Sequence, residues 1–237
     1  MADEMQPERV LVVMAHPDDV DFGAAGTVSH WTEQGIEVSY CLITDGDAGG
    51  FDPAVPRSEI AGIRRAEQTK AAKAVGVEQL YFLGYPDGRL VPSIELRRDI
   101  SRVIRQVRPD RVLCQSPERN YQRIFASHPD HLAAGEATLC AVYPDSRNPF
   151  AHPELAAEGL EAHTVPEVWI TAANQADVYV DITDHFEAKM EALHSHLSQH
   201  PDPSGLDERM RMWGSATAEA GGLPEGRLAE AFMRIRT

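Results

Sequence analysis

Two short stretches carry imidazoles and carboxylates at spacings that suit a metal ion: Ala15-His16-Pro17-Asp18-Asp19 and, far downstream, Ser127-His128-Pro129-Asp130-His131. His16 and Asp19 stand at i, i+3, and so do His128 and His131. At the start of a helix that spacing turns both side chains to one face. Two imidazoles and one carboxylate make three protein ligands, the number that catalytic zinc sites use while leaving a fourth position to water. A nitrogen and oxygen set without sulfur points most economically to zinc, with iron or cobalt able to take its place. Each motif alone has a plainer reading. Asp18-Asp19 could cap a helix, and an HxxH at a helix start is more often a cap or a surface feature. Their joint occurrence, with Pro in the second position of each and one carboxylate to spare, favours a metal site.

Other chemistries lack their signals. Gly23 and Gly26 do not complete G-x-G-x-x-G, and the chain holds no Walker-type G-x-x-x-x-G-K-[ST]. There is no G-x-S-x-G elbow for a serine nucleophile. Cys41, Cys114 and Cys140 form no CxxC pair, which argues against zinc ribbons, redox pairs and a disulfide framework and suits a reducing cytosol.

The elements that must position the two motifs follow from the hydrophobic pattern. Apolar runs at 9–15, 37–44, 79–84 and 111–115 read as strands, and the segments 22–34, 58–75 and 94–107 between them have helical spacing. Such alternation predicts βαβ units in a parallel sheet, with helices on both faces because the strands are apolar nearly throughout. Further strands are expected at 167–172 and 178–182. A helix is expected at 184–199 with Asp184 as candidate cap, a Pro-rich loop at 199–205 and a final helix at 228–236. Residues 145–166, rich in Pro and His, are expected to leave the core as a surface loop. The fold class is therefore α/β and Rossmann-like, a mostly parallel sheet in a single domain over 1–237, with a core of about 9–200 and a C-terminal extension at 201–237. Ligands of such sheets bind beyond the carboxyl ends of the strands, where both His-Pro-Asp motifs fall.

Composition bounds the partners. The 237 residues are 43% hydrophobic and 25% charged, which is ordinary for a globular chain and excludes wholesale disorder. The net charge of −15 repels phosphate backbones and anionic lipid, so nucleic-acid and membrane-surface binding are disfavoured. The polar start MADEMQPERV shows no secretory pattern, and no early apolar run is long enough to insert in a bilayer, so a cytoplasmic location is expected.

With these residues in view, the chain resembles the LmbE-like or PIG-L family of zinc-dependent N-acetylglucosaminyl deacetylases. The likeness rests on Ala15-His16-Pro17-Asp18-Asp19, Thr44-Asp45-Gly46 and His128-Pro129-Asp130-His131. Arg64-Arg65-Ala66-Glu67, Leu83-Gly84-Tyr85-Pro86-Asp87-Gly88 and the late Lys189, His196, Ser198 and Gln199 add to it. The resemblance implies zinc held by His16, Asp19 and His131, and Asp18 as general base. It implies His128 as oxyanion stabiliser or proton donor, with Asp130 orienting an imidazole, and sugar contacts from Arg64 and Asp87. Some members carry a Tyr close before the first His of the second motif, where this chain reads Ile124-Phe125-Ala126-Ser127 and Tyr121 lies upstream. The implied activity is removal of an N-acetyl group from a small-molecule sugar conjugate, with a homo-oligomer left open. Two competing readings are an amidase for a larger thiol-sugar conjugate and a non-catalytic nucleotide-binding module.

Overall fold

A computed structural model describes residues 5–200 and 202–237. Seven strands form its frame: β1 (Arg9–Met14), β2 (Glu37–Thr44), β3 (Gln79–Tyr85), β4 (Arg111–Gln115), β5 (Glu167–Thr171), β6 (Val178–Asp181) and β7 (Ala229–Arg236). They make one sheet in the order β3-β2-β1-β4-β5-β7-β6. The first five positions in that order pair in parallel, and β7 runs antiparallel to both of its neighbours. The helices are α1 (Asp19–Gly23), α2 (Ala25–Glu33), α3 (Arg57–Ala74), α4 (Ile94–Val107), α5 (Pro129–Cys140), α6 (Pro153–Ala157), α7 (Phe186–His194) and α8 (Leu206–Ala220). Among the described residues, no helix is long and apolar enough to cross a membrane.

The β1 sequence RVLVVM is apolar at consecutive positions because both faces of the sheet are covered. Leu11 and Val13 pack with Ile100 and Ile104 of α4 and Ala134 and Ala137 of α5. Val10, Val12 and Met14 pack with Val28 and Trp31 of α2 and Ala71 and Ala72 of α3. A third cluster, including Phe186, Met190, Leu206 and Met210, joins α7 to α8.

The expected α/β class and parallel sheet are found, and the differences have local causes. The helix expected at 22–34 breaks at Ala24 (φ −153°) into α1 and α2. The helix expected at 184–199 ends at His194, and no side-chain hydrogen bond caps its start, so Asp184 does not act as its cap. The helix expected at 228–236 is a strand. Ala229, Ala231, Met233 and Ile235 alternate with Glu230, Phe232, Arg234 and Arg236, and β7 pairs with both β5 and β6. β7 thus lies inside the sheet, between β5 and β6.

One contact shows how β7 is locked in. Glu230 is buried, and its carboxylate accepts the amides of Gly26 (3.1 Å) and Thr27 (2.8 Å) in the first turn of α2, where a helix favours negative charge. Lys189 Nζ donates to the same carboxylate at 2.7 Å and to the carbonyl of Phe22 at 2.6 Å. Residues 145–166 are not a free surface loop either. The Arg105 guanidinium donates to the carbonyls of Asp145, Ser146, Asn148 and Ala151, and Leu155 is fully buried. His152 pairs with Asp145 at 3.3 Å, and His163 bonds the Pro109 carbonyl ahead of β4, at the sheet edge away from the two motifs.

Candidate metal centre and active site

The strand order turns between β1 and β4, and the crevice at their carboxyl ends receives both His-Pro-Asp motifs. The chain leaves β1 at Ala15, whose amide donates to Gln115 Oε1 at the end of β4 (2.9 Å), so the neighbouring strand fixes the start of the first loop. His16 follows, and its amide donates to Asp19 Oδ2 at 2.7 Å. The second motif opens α5 with Pro129 in its first turn. His128 is the cap, its Nδ1 accepting the Asp130 amide at 3.2 Å.

These two loops bring three side chains to one point. His16 Nδ1 lies 3.2 Å from Asp19 Oδ2 and 3.2 Å from His131 Nε2, and His131 Nε2 lies 3.0 Å from Asp19 Oδ1. Donors bound tetrahedrally at about 2.0–2.1 Å would sit about 3.3–3.4 Å apart, close to these spacings. The outer nitrogen of the same ring, His16 Nε2, faces Asp87 Oδ1 at 3.1 Å and Asp130 Oδ2 at 3.3 Å. Asp130 is itself fixed by the amides of Gly88 (2.7 Å) and Leu90 (3.1 Å), and Asp87 by the amide of Ala48 (3.3 Å). In neutral His16 the proton belongs on Nε2, between these carboxylates, and the Nδ1 lone pair points at Asp19 and His131. The donor set therefore fits a divalent cation. His128 stands beside it, and His16, His128 and His131 also form a group whose ligand atoms all lie within 4.8 Å of one another.

The electrostatics suit the same ion. Burial would depress the His16 imidazole, but the charge of Asp19 and bonds to Asp130, Asp19 and Asp87 outweigh it and push it up to about 12. Burial would raise the Asp19 carboxyl, yet His131 and His16 hold it well below the usual range. Several carboxylates thus crowd a few imidazoles in a nearly buried place, which favours positive charge there.

Asp18 is the carboxylate left over. Its backbone adopts φ 87°, a left-handed conformation that Asp tolerates better than most residues. Its amide donates to Gln68 Oε1 (2.7 Å), and its Oδ2 pairs with Arg64 Nη2 (3.0 Å). Burial and the neighbouring charge of Asp19 push its carboxyl up to about 6 against the pull of Arg64. Arg64 is buried under the loop after β2, donating to the carbonyls of Pro17 and Gly46. Gly46 has φ 62°, and a Cβ there would lie 2.6 Å from Arg64 Nη1, so only glycine lets this loop close over the guanidinium.

All eight residues named from the sequence surround this crevice, and several of them also bond one another. Arg64 and Asp87, expected at a sugar, are engaged with Asp18 and His16 respectively. Tyr121 is exposed. Three supporting residues went unassigned. Gln68 donates to Asp21 Oδ2 (3.0 Å), which His196 Nε2 also approaches (2.8 Å). Gln68 stands four residues after Arg64 on α3, so helical spacing could have found it. The Asp21–His196 pair spans the chain and leaves no local trace.

Gly135 sets the height of His131, one helical turn before it. A Cβ on Gly135 would lie 2.4 Å from the Gln115 carbonyl oxygen and 2.8 Å from the Pro117 nitrogen, both backbone atoms. Gly135→Ala is therefore expected to destabilise the fold by about 1–3 kcal/mol, the usual cost of overpacking, and to weaken metal binding by shifting His131. Urea unfolding and metal titration would check this, and an unchanged midpoint with unchanged affinity would refute it.

Residues 11–142 match the PIG-L family model, described as GlcNAc-PI de-N-acetylase. The chain is 35% identical over 195 residues to the diacetylchitobiose deacetylase of Thermococcus kodakarensis, covering 82% of this chain and 71% of that protein. It is 33% identical to a probable N-acetyl-alpha-D-glucosaminyl L-malate deacetylase 2 of Bacillus cereus, covering 80% and 83%. The solved N,N'-diacetylchitobiose deacetylase of Pyrococcus horikoshii superposes with a TM-score of 0.89 at 31% identity, covering 98% of this chain and 85% of that one. The sequence match and the shared fold place the chain in the PIG-L (LmbE-like) family and make it an enzyme of the amide-hydrolase class.

Proposed function

We propose that the protein is a zinc-dependent deacetylase that removes an N-acyl group from an N-acetylglucosamine-type sugar conjugate. The observation that carries the proposal is the convergence of His16, Asp19 and His131, with donor atoms 3.0 to 3.2 Å apart, beside an Asp18 that the set does not use. His16, Asp19 and His131 would hold the cation. When bound, it supplies Lewis acidity, lowering the pKa of water toward neutrality and polarising a carbonyl.

The chain's own residues do the rest. Asp87 and Asp130 hold the outer N–H of His16, so that its Nδ1 faces inward. Asp18, ionised above about pH 6, takes the proton of the attacking water. Arg64 orients that carboxylate. His128 accepts the Asp130 amide on Nδ1, which leaves its Nε2–H to donate to the carbonyl oxygen as negative charge develops there. Burial and the charges of His16 and His131 keep His128 below its ordinary pKa, so it serves as a neutral donor. The leaving amine then receives the proton that Asp18 took.

The test is metal analysis of the purified protein together with an amine-release screen over N-acetylglucosamine conjugates. Stoichiometric zinc and acetate release are expected; metal-free protein that binds nucleotide tightly would overturn the reading. The pH profile is a second check. Asp18 works as base only when ionised, so activity should fall as pH drops through a midpoint at or below about 6. A bound cation can only lower that midpoint. Arg64→Gln removes the attraction that opposes burial, so its acid limb should move to higher pH. An unmoved limb would mean that another group titrates.

A further inference from the structure

A cavity of about 470 Å³ opens from the Asp19 and His131 side of the crevice and runs toward α8 and β7. Its far walls are mainly apolar, formed by Phe22, Ile182, Met210, Trp213 and Ala231. Four charged side chains line it: Asp19 and Arg123, with Lys189 and Glu230, the last two paired with each other at 2.7 Å. The volume lies in the range of small-molecule sites, which are mostly apolar with a few placed polar groups. An acetyl methyl is about the size of a water molecule, whose share of liquid volume is about 30 Å³, so an acetyl group would leave most of this space unfilled.

The direction of the cavity says which part of the substrate enters it. Asp18, Arg64, Asp87 and His128 do not line it, whereas Asp19 and His131 do. The amine must leave where Asp18 can return a proton, so the sugar lies on the Asp18 side. The other substituent of the carbonyl points away from the sugar, toward Asp19 and His131. We propose that the cavity is an acyl-chain subsite, and that the preferred substrates carry an unbranched acyl group of roughly six to ten carbons, a length in keeping with a site of this size. The inference rests on the amide-hydrolase reading above and adds the class of acyl group.

The experiment compares kcat/KM of the zinc-loaded protein for N-acetyl-, N-hexanoyl- and N-octanoylglucosamine, read as amine release. Full burial of a methylene is worth about fourfold, so a gain of at least about tenfold from acetyl to octanoyl is expected. In Thr217→Trp, which fills the cavity from α8, the octanoyl-to-acetyl ratio should fall by at least about fivefold. Trp213→Ala, which removes a wall and does not crowd the fold, should lower the ratio as well. Octyl glycosides of N-acetylglucosamine place the same carbons on the sugar side and should show no such gain. A flat acyl series, or a gain seen only with the octyl glycosides, would overturn the proposal while acetate release kept the hydrolase reading intact. Should no amide be cleaved, the hydrolase reading fails. Calorimetric binding of N-octanoyl- against N-acetylglucosamine then decides the subsite, equal affinities refuting it.

Discussion

Asp18→Asn is expected to keep its zinc and lose kcat by about 10²- to 10⁴-fold, the usual loss when a general base is removed. Asparagine is the informative replacement because of the backbone. Asp18 sits at φ 87°, which Asn adopts at less cost than Ala, so Asp18→Ala would mix a chemical loss with strain. The amide keeps the shape of the carboxylate and can still accept a hydrogen bond from Arg64, which is now 3.0 Å from Asp18 Oδ2. What it cannot do is take a proton from water at neutral pH. Metal content by atomic emission and turnover by amine release separate the two roles. Retained zinc with activity within about fivefold of the parent would assign the base to another group.

The sequence showed most clearly what is encoded locally. β2, β4 and α4 were bounded correctly because continuous apolar strands and a helix with a single buried stripe carry their own periodicity. The two motifs were legible for the same reason, since i, i+3 spacing past a strand end is a local pattern. α8 was missed because its buried stripe is Leu206, Met210, Gly214 and Ala218, half of it too small to register as apolar. β7 was read as a helix because alternation of Ala and Met with Glu, Phe and Arg is ambiguous until its partners β5 and β6 are known. Arg64 and Asp87 read as sugar contacts, and sequence cannot show that each also faces another protein side chain. A buried charge needs a partner, and the partner of each comes from a distant loop.

His16→Ala is expected to abolish zinc binding and activity together, from stoichiometric metal to a trace and by at least about 10³-fold in turnover, beyond the usual 10- to 100-fold cost of losing a supporting residue. The size follows from what the ring joins. Its Nδ1 reaches Asp19 and His131, its Nε2 reaches Asp87 and Asp130, and its removal leaves those carboxylates without the imidazole that links them. His128→Ala is the contrasting variant. If the cation is held by His16, Asp19 and His131, this change leaves metal content near the parent level and lowers turnover alone. Were His16, His128 and His131 the true set, which their mutual proximity also permits, His128→Ala would strip the metal as His16→Ala does. Asp19→Ala then reverses roles with it, so the pair of variants assigns the third ligand whichever way the measurement falls. Supporting residues should sit between these limits. Asp130→Asn keeps the shape beside His16 Nε2 but weakens the hold on its proton, so metal affinity should drop by about 10- to 100-fold with binding still measurable. A graded series in metal affinity, with His16 at the bottom, Asp130 between and Asp18 at the parent level, is the pattern that a single cation gripped from two distant loops requires. Equal losses at all three positions would point instead to a general collapse of the crevice.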